Sequence, residues 1–151
     1  MGEELWGGEA IEGTVRYGTV ELEDIVPDGF NDIAVSGHYA YITAGQSGLR
    51  VLDVSDPASP REVTQLDIPG AAHHAVVSDN LLYLLGTELV EKSIFHTVYI
   101  VDISEPESPL IIDSLEDIPG IPPCQFLVAT EKYIYFVSLK TVHVIDIYSS
   151  D

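Results

Sequence analysis

The chain alternates between short apolar runs and short polar breaks along nearly its whole length. The first well-formed set reads as four strands. DIAV, Asp32–Val35, ends at the turn Ser36-Gly37-His38. Tyr39–Ala44 follows, and Gly45-Gln46-Ser47-Gly48 turns the chain again. Leu49–Val54 is the third run, Ser55–Pro60 the next break and Glu62–Asp67 the fourth run. Runs rich in Val, Ile, Leu and Tyr between Gly, Pro, Asp, Asn and Ser are strands joined by turns. No window carries a helical period. Some runs are apolar at every position, for example Val98–Val101 and Tyr133–Phe136. Such strands are covered on both faces.

The set recurs. DIAVSGHYAYITAGQSGLRVLDVSDPASPREVTQLDIPG spans residues 32–70, and a second copy, HAVVSDNLLYLLG…TVYIVDISEPESPLIIDSLEDIPG, spans 74–120. A partial third copy, QFLVATEKYIYFVSLKTVHVIDIYSSD, spans 125–151. Tyr41, Tyr83 and Tyr135 correspond, as do Asp53, Asp102 and Asp146, and the turn Asp56–Pro60 corresponds to Glu105–Pro109. The three aspartates are 49 and 44 residues apart. Repeats of four short strands at this period are the mark of radially arranged blades. The expected fold is therefore all-β: four-stranded antiparallel β-propeller blades, about three of them, a partial or half propeller.

The N-terminus extends the pattern. In Thr14–Ile25 (TVRYGTVELEDI) the end Glu21–Ile25 matches Ser114–Ile118. The segment therefore reads as the outer strand of a preceding or closing blade, after a flexible segment at residues 1–13. Three blades fall short of the four to eight that close a propeller, and an open arc exposes two apolar faces. The expected partners are accordingly further propeller repeats in cis or a second copy of the chain.

The residues LRVLDVSDPASP (49–60), VYIVDISEPESP (98–109) and VHVIDIYSSD (142–151), with YAYITAG (39–45) and LLYLLG (81–86), resemble the LVIVD-repeat family. That resemblance implies a β-propeller of a bacterial or archaeal surface or secreted protein, and it carries no catalytic motif. The opening MGEELWGGEAIEG has no basic start and no apolar run, so it is not read as a signal peptide. The apolar runs are too short to span a bilayer.

Charge narrows the partners. There are 25 acidic and 6 basic residues, a net −19. Nucleic acid and anionic membranes require the opposite sign, so neither is expected. The acidity fits solubility first, then a saline environment or cation binding, and composition does not separate them. The single cysteine, Cys124, excludes a disulfide framework.

Antiparallel connectivity puts the two-to-three and four-to-one connections at one end of each blade. That loop face carries the start of each innermost strand, beside the channel mouth. Aligning Val35, Val77 and Val128 brings together Asn31, His73 and Cys124, then Asp32, His74 and Gln125. These six are the candidate ligand-binding residues. They suit a divalent metal such as zinc, or serve as strand caps. His73 and His74, being adjacent in a strand, point to opposite faces and do not share one ion. No cofactor is expected, with a divalent metal as the open alternative. The same face carries the insertion Gly86–Thr97, whose Leu89, Val90, Ile94 and Phe95 contact a partner or pack on the neighbouring blade. The recurring aspartates most simply accept turn amides. There is no nucleophile elbow, Walker or Rossmann glycine pattern or EF-hand loop. The reading is a non-catalytic module binding protein or glycan through the loop face. A hydrolase using channel-mouth residues and a structural spacer are the alternatives.

Overall fold

The computed structural model describes residues 16–25, 29–116, 126–137 and 140–147. They form three antiparallel sheets. Blade 1 holds β1 (Asp32–Ser36), β2 (Tyr39–Thr43), β3 (Leu49–Asp53) and β4 (Arg61–Leu66) in that spatial order. Blade 2 holds β5 (Ala71–Ser78), β6 (Leu81–Val90), β7 (Ser93–Asp102) and β8 (Leu110–Leu115). Blade 3 holds β9 (Phe126–Ala129), β10 (Tyr133–Val137) and β11 (Val142–Asp146). Each strand pairs only with its sequence neighbours, as the repeat requires.

The bulges repeat as well. The β3–β4 register shifts between Val51 and Leu52, and the β7–β8 register shifts between Ile100 and Val101. These are equivalent positions, since Tyr41 faces Val51 and Tyr83 faces Ile100. A bulge there adds twist to the outer strand of each blade. Turn chemistry matches the sequence: the Asp56 carboxylate accepts the Ala58 amide at 3.0 Å and its carbonyl accepts the Ser59 amide at 2.9 Å, while the Glu105 carbonyl accepts the Ser108 amide at 2.9 Å. Gly48 lies at φ +75°, and a Cβ there would collide with the Leu66 carbonyl, so only glycine fits.

Two cores lie between the blades. The first joins Tyr41, Leu49 and Val51 of blade 1 to Leu82, Leu84, Tyr99 and Val101 of blade 2. The second joins Tyr83, Leu85 and Val98 of blade 2 to Leu127, Ile134 and Phe136 of blade 3. Along β6 the side chains therefore alternate, Leu82 and Leu84 to one neighbour, Tyr83 and Leu85 to the other. This explains why the strand is apolar at every position. Burial raises the hydroxyl pKa of both Tyr41 and Tyr99.

Two expectations change. The N-terminal run, described from residue 16, forms no strand up to residue 25. It lies instead along blade 1, where the Glu23 carbonyl accepts from Arg50 Nη2 at 3.0 Å and the Asp24 carbonyl accepts from Ser47 Oγ at 3.2 Å. Among the described residues it pairs with no strand. Tyr135, expected in the core like Tyr41 and Tyr83, is only half-buried. Among the described residues no blade covers that face of blade 3.

Candidate functional site

Blades 1 and 2 meet at the channel mouth. Gly45 and Ala72 exchange backbone hydrogen bonds, at 3.1 Å and 2.9 Å. The two-to-three turn of blade 1 and the four-to-one connection into blade 2 therefore share one face, as the connectivity predicts. Asn31 Nδ2 donates to the Ala72 carbonyl at 2.9 Å. The buried Thr43 hydroxyl donates to the His73 carbonyl at 3.0 Å. Asp32 Oδ1 accepts its neighbour's amide, Ile33 N, at 2.8 Å, and Oδ2 accepts the amide of buried Ala75 at 3.1 Å. His74 Nδ1 lies 3.6 Å from the same Oδ2. His73 turns the other way, with Nε2 2.6 Å from Thr87 Oγ1 on its own blade. His73 is the extra residue of a bulge between Ala72 and His74.

Four of the candidate residues, Asn31, Asp32, His73 and His74, are thus brought together. Asn31 and Asp32 bond across the seam between blades, and His73 bonds within its own blade. A buried amide left without its acceptor costs about 1–3 kcal/mol, so the Asp32 carboxylate opposite Ala75 is a structural clasp. Cys124 and Gln125 lie outside the described residues. The third-blade register, however, corrects the alignment by one residue. Asp32 faces Thr43 and His74 faces Leu85, and the matching place opposite Val137 is held by Phe126, not Gln125. The turn before β10 is as long as those before β2 and β6, Thr130 meeting Tyr133 as Ser36 meets Tyr39 and Ser78 meets Leu81, so the slip comes from aligning on valine: Ala129, not Val128, matches Val35 and Val77. Among the described residues no group of three or more His, Cys, Asp or Glu is placed to hold a metal ion.

The insertion is the other half of this face. It extends β6 and β7 to ten residues each as one continuous hairpin. Leu89 pairs directly with Ile94 and Val90 with Ser93. Leu89 is 71% and Ile94 66% exposed, with Val90 and Phe95 also exposed. These side chains do not pack on a neighbouring blade. At the tip Glu91 and Lys92 both have positive φ, 48° and 73°. Two successive residues of that kind make a type I′ turn, which usually takes Asn-Gly. Non-glycine residues in it carry a cost of about 1–2 kcal/mol each.

A cleft of about 660 Å3 opens at the base of this hairpin. Thr87, Glu88, Leu89 and Ile94 form one wall, and Gln46, Gly70 and Ala71 the other. Gly70, at φ +76°, brings its backbone against Thr87, where any Cβ would clash. The sequence singled out Leu89 and Ile94 but not Gln46, Gly70 or Glu88. The Pro-Gly pair at 69–70 marked the turn without revealing that it closes a cleft.

Residues 30–67 and 96–117 match the family model for the LVIVD repeat. Two stretches of the chain thus match the LVIVD repeat. The first match covers blade 1 and the second covers the inner part of β7 with β8 and the turn between them. The stretch between the two matches, residues 68–95, takes in β5, β6 and the first residues of β7. No curated protein matches the chain.

Two of the repeat's recurrent aspartates are turn acceptors. Asp53 Oδ1 accepts the Ser55 amide at 2.9 Å, and Asp102 Oδ1 accepts the Ser104 amide at 2.8 Å. Hydrogen bonding to these serines, aided at Asp53 by Arg61, holds both carboxyls below their ordinary pKa. A carboxyl whose pKa is depressed by folding contributes stability above its unfolded pKa, near 3.8, and loses it as pH falls through the lower folded value. Unfolding midpoints are therefore expected to drop steeply below about pH 4. Asp102→Asn should flatten that drop by lowering the midpoint at neutral pH, where the ionised carboxylate contributes, and changing little in acid, where that contribution is already lost. Melting curves from pH 7 downward check this, and an unchanged acid slope in the variant refutes it.

Proposed function

We propose that the chain is a non-catalytic interaction module of a β-propeller outside the cell or at its surface, taking a protein segment on its loop face. The observation that carries this reading is the cleft beneath an exposed apolar hairpin. A monomer rarely displays Leu and Ile side by side on a projecting hairpin without a partner, and loops held by a rigid scaffold are where binding concentrates. Leu89 and Ile94 offer an apolar anchor, while Gln46, Thr87 and Glu88 offer polar groups to orient a backbone. A peptide with an apolar side chain flanked by donors fits that wall. The extracellular setting rests on the LVIVD-repeat resemblance, and the acidic surface disfavours anionic ligands.

Selection of a random displayed-peptide library on the immobilised chain tests the reading. Enriched peptides are expected to carry a bulky apolar residue and to lose binding to a Leu89→Ser/Ile94→Ser variant. Burying one such side chain contributes about 1.5–3 kcal/mol, so losing both weakens affinity at least tenfold. Both residues are exposed, so the variant keeps its fold. Peptides that bind the variant equally, or binding confined to a glycan panel, would overturn the reading.

A further inference from the structure

The arc ends in two apolar faces, and each is one half of a joint that the chain already makes twice. Tyr41 points at blade 2 and Tyr83 at blade 3. Tyr135, the equivalent residue of blade 3, points at no blade. Around it Val128, Val142 and Val144 are 52–61% exposed. At the other end, the face of blade 1 turned away from blade 2 shows Ile33 and Val35, 57% and 60% exposed, beside half-buried Ile42. These correspond to the side on which blade 2 receives Tyr41 and blade 3 receives Tyr83. A groove of about 390 Å3, lined by Phe30, Asn31, Asp32, Ile33 and Ile42, lies open on it.

A second feature sits at the same end. Ile25 and the residues before it repeat the stretch that follows each outer strand, as in Leu66-Asp67-Ile68. Between blades 1 and 2, Ile68 is buried in the joint. Residues 23 and 24 hold the corresponding place on blade 1, tied to Arg50 and Ser47. The chain therefore carries an outer strand's tail against blade 1, while the described part of blade 3 has inner strands and an open edge at β11.

We infer that two copies of this chain join head to tail, the Tyr135 face of each blade 3 seating on the Ile33 face of the other's blade 1, to close a six-bladed ring. Continuity with the joints between blades 1, 2 and 3 is what selects a second copy as the occupant. The contact is heterologous, so it closes only if the rotation does, and six blades lie within the range that closes. Each N-terminal run then stands beside the partner's β11, the open edge of the described part of that blade. The net charge of −19 opposes pairing, so added salt should favour the dimer by screening.

Light scattering on the 151-residue chain at physiological salt tests this. The expected mass is about twice 16.5 kDa. Val144→Asp and Ile33→Asp, at exposed positions on opposite ends of the arc, should each halve the mass with an unchanged circular dichroism spectrum. Mixing the two variants should restore pairs, because the intact blade 3 of one still fits the intact blade 1 of the other. A monomeric parent overturns the inference, as does a ladder of masses beyond two copies. So does a dimer that Val144→Asp breaks and Ile33→Asp leaves whole, since that dimer joins like faces.

Discussion

Tyr83→Ala should lower stability by about 3–5 kcal/mol, the range for removing a large aromatic from a packed core. Tyr135→Ala, at the equivalent position one blade on, should cost the single chain about 1 kcal/mol or less. The side chains are identical and their strand registers match. What differs is the next blade. Tyr83 is 2% exposed, packed among Leu85, Val98, Leu127, Ile134 and Phe136. Tyr135 lies on the open face, with an edge contact to Tyr133 at 6.2 Å between ring centroids. Domains of this size have a total stability of about 5–15 kcal/mol, so the first substitution removes a large share of it and the second does not. Urea titration with the association-blocking Ile33→Asp change in both backgrounds measures the difference directly. Equal losses would mean that blade 3 is covered in the single chain. In the paired state Tyr135 becomes a joint residue, and its loss should then weaken association instead.

These two tyrosines also show how much was legible in the sequence. Strand positions, turn types and blade boundaries follow from periodicity, because a blade is a local object. The aspartates at the strand ends could be read as turn acceptors for the same reason. Contacts between blades were harder. The sequence placed Asn31, Asp32, His73 and His74 at one mouth, but it could not show that Asp32 is committed to the Ala75 amide. It missed the bulge at His73, which depends on how β5 meets β6 and not on residue type. The third-blade alignment slipped by one residue, and such a slip sends every side chain to the opposite face. The cleft was invisible because Gln46 and Glu88 are 42 residues apart and meet only when blades 1 and 2 stack. Arg50 was overlooked too. An arginine between Leu49 and Val51 in a fully apolar strand is the signal that could have flagged a buried ion pair.

That arginine supplies the second large effect. Its side chain is 5% exposed, and it holds Glu62 in a two-pronged pair, Nε to Oε2 at 3.0 Å and Nη2 to Oε1 at 2.9 Å. Glu62→Leu removes the charge partner and leaves the guanidinium bonded to the Glu23 carbonyl. Stranding a fully buried charge costs about 3–5 kcal/mol. The Glu62 carboxylate is 27% exposed, so water reaches the site and about 2–4 kcal/mol is expected. Arg50→Met should cost less, since Glu62 can rehydrate where it stands. The double change, Arg50→Met/Glu62→Leu, leaves no charge to solvate and fills the space with apolar atoms. It should therefore be more stable than Glu62→Leu alone, with a coupling of at least about 1 kcal/mol in a double-mutant cycle. Losses that simply add would show the two residues to be independent. The double variant also separates folding from assembly. It keeps the blade sound but releases the Glu23 carbonyl from its donor, so the N-terminal run loses its main tether to blade 1. If that run completes the partner's third blade, the double variant should fold well and pair poorly.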